Sequence, residues 1–337
     1  MPYTFDPSIC DKCPFGYCFE DRRSNPVRGR KTQFRVLQRN ATACTFQDFA
    51  PGSSKDFLPG LTFDEYLTQF KNNVNSAGTK FLGSVFKIEG SAFAKVEGDI
   101  LENLEAAALG NAAAVWNNYM ASGNWVSRSL LQPKGAHPDE SQRLAIVKMP
   151  RGYDATRLFT REARAQIAAL EATLEAQGTQ LKLSAPDIVG VRLPEGVNVS
   201  TFSTPIENLS VENISRIETS FRLLEGRISA ADFLFALAIK RTMRSDRLYQ
   251  PLYEANVLKY LIHGLLGQPG FRFYAHALSI EGADVTGHYR AASLYSLIGK
   301  KKPERAVDKL IASNSPTEVA QLLLNELPLL TGMVVEV

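Results

Sequence analysis

The stretch FLFALAIKRTMRSDRLYQPLYEANVLKYLIHGLL, residues 233–266, decides how the chain is read. It opens with an apolar run that ends at Lys240, short enough for a buried strand rather than a helix. Four cations, Lys240, Arg241, Arg244 and Arg247, then fall against one acid, Asp246. Ser245 is placed to cap a helix running on to about residue 266, on which Leu248, Leu252, Ala255, Leu258 and Ile262 share one face. A solvated helix would scatter these charges among Glu and Lys, and a buried segment would not carry them. The stretch reads as a place where phosphates, base edges and a metal ion meet.

Strands and helices alternate outward from it. RLAIVKMP (143–150), DIVGVRLP (187–194) and RFYAHALSI (272–280) predict further strands. A helical pattern sets in at Leu61. KVEGDILENLEAAALGNAAAVWNNYM predicts a long Ala-rich helix over 95–120, and FTREARAQIAALEATLEAQG an amphipathic helix closed by Gly178. After the strand at 272–280 the C-terminal third reads as helical. Interleaved strands and helices imply an α/β sandwich around a mixed sheet, with residues 61–337 as one domain. Residues 1–60, rich in Pro, Gly, Arg, Asn and Ser, read as an irregular arm.

The 337 residues are 45% hydrophobic, enough for a well-buried core, and no apolar run reaches the roughly 18 residues of a membrane span. MPYTFDPSICDKC lacks a basic-then-apolar secretory pattern, so a cytoplasmic location and no membrane partner are expected. The net charge of +3 says little, but its distribution says more. Between Glu20 and Arg39, seven cations (Arg22, Arg23, Arg28, Arg30, Lys31, Arg35, Arg39) stand against two acids. Two such patches fit a polyanion partner; the alternative is a pair of ordinary basic surface strips. Cys10, Cys13, Cys18 and Cys44 could hold a structural zinc, CDKC supplying a CxxC, or could be reduced thiols in the arm.

Cutting a phosphodiester needs charge neutralisation at phosphorus, a hydroxide, and a cation that holds the nucleophile. Mg²⁺ takes oxygen ligands, with one or two carboxylates from the protein. Asp187 opens one predicted strand, Lys240 closes another, and Glu254 follows Lys240 with 13 residues between. Glu102, near the start of the long helix, is the fourth candidate. Singly these are weak: Asp187 alone could be a turn residue and Glu102 a solvated carboxylate. Lys240 is more pointed, since a lysine ending an apolar strand costs burial energy unless paired. His137, His263, His276 and His288 show no metal-binding spacing, and His263 and His276 read as structural.

Pro186-Asp187, then Lys240, then a displaced glutamate on the following helix resembles the CCGG-cutting, NgoMIV-like branch of the PD-(D/E)xK restriction endonucleases. The usual acid two before the lysine is replaced by Ala238, as in that branch. NPVRGRKTQF (25–34), AKVEGDILE (94–102), APD (185–187), KRTMRSDRLYQPLYEANV (240–257) and AASLYSL (291–297) are similar to SgrAI-like members of the branch; the first 20 residues are not. The resemblance implies a restriction-endonuclease-like core of mixed β-sheet flanked by helices, and a type II enzyme, Mg²⁺-dependent, with Mn²⁺ substituting and Ca²⁺ binding without turnover. Asp187 and Glu102 would be metal ligands, Lys240 would position water, and Glu254 would support the metal site. Arg244, Ser245, Asp246 and Arg247 match the segment that reads the central CCGG pairs. This agrees with the chemistry of arginine on guanine and aspartate on cytosine. By similarity Lys95 and Arg30 contact outer bases or flanking DNA, Arg30 from a minor groove or on phosphate. A palindrome implies a homodimer on double-stranded DNA, extended in SgrAI-like enzymes to filaments. The rival readings are a DNA-binding protein that does not cleave and a nuclease of relaxed specificity.

Overall fold

The computed structural model describes residues 61–82, 85, 87, 90–150, 152–182, 185–207, 211–243, 249–280, 285–298 and 302–334. The arm over 1–60, with its cysteines and Arg30, and the segment 244–248 lie outside the described residues. For Lys95 the helical backbone is described but the side chain is not.

Five strands form one sheet in the order of the sequence: β1 (Leu144–Lys148), β2 (Ile188–Arg192), β3 (Phe233–Met243), β4 (Arg272–Ile280) and β5 (Lys309–Ala312). β1 and β2 pair antiparallel, as do β2 and β3; β3–β4 and β4–β5 are parallel, so the sheet is mixed as expected. Strand alternation sends side chains into two layers. Ile188, Phe235, Leu237, Ile239, Tyr274 and Ile311 enter one core with helices α1 (Phe63–Leu82), α2 (Gly90–Ser122) and the C-terminal helix (Pro316–Leu330). Val189, Val191, Ala236, Ala238, Ala275 and Ala277 enter the other, with the helices α3 (Arg161–Ala176) and, further on, α5 (Tyr249–Lys259). The helix α4 (Val211–Thr219) packs beside β1.

α2 is buried on several sides because alanines at 106–108 and 112–114 let β1 and the C-terminal helix approach closely. Its buried polar residues act as pegs. The Asn117 amide donates to the Leu144 and Phe202 carbonyls at 2.8 and 3.1 Å, and its oxygen accepts the Leu144 N–H at 2.8 Å. Asn117 thus supplies edge strand β1 with the pairing that a neighbouring strand would give. Asn111 makes the same two-way contact with Ile206, at 2.6 and 3.0 Å.

The structure departs from the sequence reading in four places. The C-terminal third is not all helical: β5, four residues with no alternation to betray it, completes the sheet. The long helix begins at Gly90 rather than Lys95. β3 does not end at Lys240 but runs on to Met243, so Lys240 and Arg241 leave the strand on opposite sides. The helix that follows, described from Tyr249 on, does not stay α-helical to its end but closes in a π-helical stretch at Tyr260–Leu265. Glu254 lies five residues after Tyr249.

Candidate active site

Asp187 immediately precedes β2. The β2–β3 ladder ends at the Ile188–Leu237 pair, and the Asp187 carboxylate continues it by accepting the Ile239 N–H on Oδ2 at 2.6 Å. The same oxygen lies 3.4 Å from Lys240 Nζ. Lys240 follows Ala238 on the face of β3 that α5 covers, and its ammonium finds the partner that a lysine at the end of a buried strand requires.

Glu254 enters from α5 onto the same face and is only 7% exposed. Gln250, one turn earlier, donates to its Oε1 at 3.0 Å. Burial pushes the Glu254 carboxyl up to about 7; the Gln250 hydrogen bond and the Lys240 charge oppose that rise, and Asp187 adds to it. Lys240 and Asp187 therefore both act on Glu254. Burial, followed by the Glu254 charge, also raises the Tyr289 hydroxyl well above its ordinary range.

Glu102 reaches the same end of the sheet from the other layer. It projects from α2, and its Oε2 lies 3.7 Å from the ammonium of Lys148, the last residue of β1. Lys148 pairs with Ile188, and the Met149 N–H donates to the Asp187 carbonyl at 2.9 Å, so one backbone junction joins the two charged groups. Lys148 also binds Glu218 of α4 at 2.5 Å. Neither Lys148 nor Glu218 was singled out in the sequence. The signal for Lys148 was present, since it ends the apolar run RLAIVK as Lys240 ends FLFALAIK.

Of the basic stretch, Arg241 turns to the α1–α2 layer, bonding Glu97 at 2.5 Å and Asp64 at 3.4 Å. Arg244, Ser245, Asp246 and Arg247 fall outside the described residues. His263 and His276 are built into the core: His276 contacts Glu105 and the Ser313 carbonyl, and His263 contacts Glu304 and the Phe271 carbonyl.

The donor chemistry fits a hard divalent ion. Asp187 and Glu254 offer carboxylate oxygens, and a buried carboxyl held up to about 7 gains from a cation beside it. Among the described residues no three or more His, Cys, Asp or Glu side chains converge as a ready-made metal cage. Among the described residues no helix is long and apolar enough to cross a membrane.

Comparison with known proteins places the chain. Residues 57–327 match the family described as Cfr10I/Bse634I restriction endonuclease. The type II restriction enzyme Cfr10I of Citrobacter freundii is 28% identical over 189 residues, an alignment spanning 53% of this chain and 66% of that relative. The crystal structure of the type IIF restriction endonuclease Bse634I with cognate DNA superposes with a TM-score of 0.66 at 22% identity, covering 85% of this chain and 91% of that one. A second structure of Bse634I restriction endonuclease gives the same TM-score at 21% identity, covering 83% and 89%.

Proposed function

The chain belongs to the Cfr10I/Bse634I restriction endonuclease family, and from that premise we propose that it hydrolyses duplex DNA at a palindromic, CCGG-centred site in a Mg²⁺-dependent reaction. The observation that carries the reading is the meeting of Asp187, Lys240 and Glu254 at one end of the sheet: a lysine on a carboxylate, beside a second carboxylate buried at a cost. A carboxyl raised by burial beside a lysine and a second carboxylate is an arrangement that clusters at sites handling cations and protons.

Asp187 and Glu254 would hold the ion, with Glu102 reaching it from the other layer. The ion would supply charge neutralisation at the phosphate and a more acidic water. Lys240, steered by Asp187, would hold the attacking water and stabilise the hydroxide formed from it. Gln250 keeps the Glu254 carboxylate turned to one rotamer. Burial around Glu254 limits bulk water and strengthens each of these interactions.

For specificity we keep the assignment of Arg244, Ser245, Asp246 and Arg247 to the central base pairs, and of Arg30 and Lys95 to the outer bases or flanking DNA. A fork from each arginine to guanine O6 and N7 is worth about 1–3 kcal/mol of discrimination. The similarity to SgrAI-like enzymes favours a site of the form CRCCGGYG, cut before the CCGG to leave 5′ overhangs. A palindrome calls for a homodimer, with filament growth on DNA as the extended form.

The test is incubation of plasmid DNA with the protein and Mg²⁺, followed by mapping of the ends. Discrete fragments ending at one palindrome are expected. Retarded but uncut DNA would mean a binder without catalysis, and a smear would mean relaxed specificity. Electron microscopy with cognate duplex separates dimers from filaments, and metal analysis decides whether the four cysteines carry zinc.

A further inference from the structure

A cavity of about 560 Å³ opens where β4 and β5 begin, beside the end of the C-terminal helix. It lies at the opposite end of the sheet from the candidate active site. Arg272, on its β4 wall, is in register with Phe235, whereas Lys240 stands five residues further along β3, about 16 Å away. Four cations line the cavity: Arg272, Lys302, Arg305 and Lys309. Its three carboxylates are already engaged. Glu326 takes Lys309 at 2.8 Å, and Asp308 takes Lys259 at 2.9 Å and Arg272 at 3.3 Å. Glu304 faces His263 at 3.1 Å and Lys259 at 3.7 Å. Lys302 and Arg305 are exposed, and among the described residues no carboxylate pairs with either. With the buried Lys259 counted, five cations meet three carboxylates, and the surplus falls on Lys302 and Arg305.

We propose that this cavity is an anion site, in which Lys302 and Arg305 hold a phosphate-type oxyanion. An arginine fork matches the spacing of two phosphate oxygens, and a lysine adds a point charge beside it. The cavity is within the size range of small-molecule sites, about 300–1,000 Å³, and has room for more than one phosphate group. Its wall is fixed in advance. Lys259 donates to the Arg305 carbonyl at 2.5 Å, the Ala306 N–H to the Ala291 carbonyl at 3.0 Å, and the Asp308 N–H to the Phe273 carbonyl at 2.8 Å. A ligand therefore has to order two side chains and no backbone. The carboxylates do not oppose it, because each is neutralised by a cation of its own. The site is separate from the cleavage chemistry, so binding there is measurable without a metal ion.

The test is calorimetric titration of pyrophosphate, with EDTA present, into the full-length protein and into its Lys302→Gln and Arg305→Gln variants, circular dichroism confirming that each is folded. The unmodified protein is expected to bind with a Kd below about 1 mM, and each variant about tenfold more weakly or worse. No binding by the unmodified protein, or variants that bind as well as it does, would overturn the assignment. Either variant decides the matter if the other does not fold. Duplex DNA retardation over a series of salt concentrations identifies the source of the oxyanion. With pyrophosphate binding weakened, a salt slope lower by about one in each variant assigns the site to a phosphate of the DNA backbone. An unchanged slope with the same weakening assigns it to a free phosphorylated anion.

Discussion

The Lys240 ammonium and the Ile239 N–H converge on a single oxygen, Oδ2 of Asp187, at 3.4 and 2.6 Å. Two successive residues of β3 therefore orient the carboxylate that precedes β2, one through the backbone and one through its side chain. Asp187→Asn keeps an oxygen for the Ile239 N–H but loses the charge that draws Lys240. We expect Asp187→Asn and Lys240→Ala each to lower cleavage by at least about a hundredfold while DNA retardation in Ca²⁺ persists. Cleavage within tenfold of normal in either variant would remove that residue from the proposed chemistry.

Glu254 carries a stability cost whose sign can be stated. Its folded-state value, about 7, lies above the ordinary 4.5, so the fold favours the protonated form. Stability should then fall as pH rises from about 4.5 through 7, and the penalty at pH 8 is on the order of 2–3 kcal/mol without metal. Glu254→Gln keeps an acceptor for Gln250 and cannot ionise. Urea unfolding should show this variant more stable than the parent at pH 8 and equal to it near pH 4. No gain at pH 8 would refute the account.

Glu105 and His276 form a buried pair between α2 and β4, at 2.7 Å and both fully buried. Burial alone would push His276 down, but the Glu105 charge, its hydrogen bond and the Ser313 carbonyl hold it above 6.5. Both ring nitrogens face acceptors, as an imidazolium requires, and the other facing group is the Phe63 ring. The pair's contribution is therefore fully present below about pH 6.5 and fades as pH rises through the raised value. Replacing Glu105 and His276 together by Leu, which strands no charge, should cost most near pH 6 and less at pH 9. A cost independent of pH would contradict the charged pairing.

Gly190 leaves room for the Phe235 ring across the β2–β3 pair. A Cβ there would lie 1.9 Å from Phe235 Cε1. Gly190→Ala should cost about 1–3 kcal/mol in thermal or urea unfolding and lower cleavage through the displacement of Asp187, three residues upstream. Adding Phe235→Leu, which removes the colliding ring atoms, should recover part of both; no recovery would place the strain elsewhere.

The pairing of Lys240 was legible because a lysine closing an apolar run costs burial energy unless paired, and Asp187 is its partner. The same rule applied to Lys148 calls for a buried partner but does not name Glu218 or Glu102, which the structure brings to it. β5 was not legible: KLIA has too few residues to show a period and lies between a charged stretch and the polar turn SNSP. Spacing along the chain also gave no indication that Glu102 and Glu254 approach from opposite layers. That depends on which face of each strand a residue occupies, and a strand continuing to Met243 where it was expected to stop at Lys240 alters how its last residues are shared between the layers.

The asparagine pegs of α2 give the helix a fixed angular setting, much as keyways index a shaft. Glu102 lies fifteen residues from Asn117, about 22 Å along the axis. Any rotation of the helix that swung this carboxylate aside would first have to strip the Leu144 and Ile206 backbone groups of their partners. The aim of one acidic side chain is thus governed far from it, by two neutral amides that take no part in the chemistry.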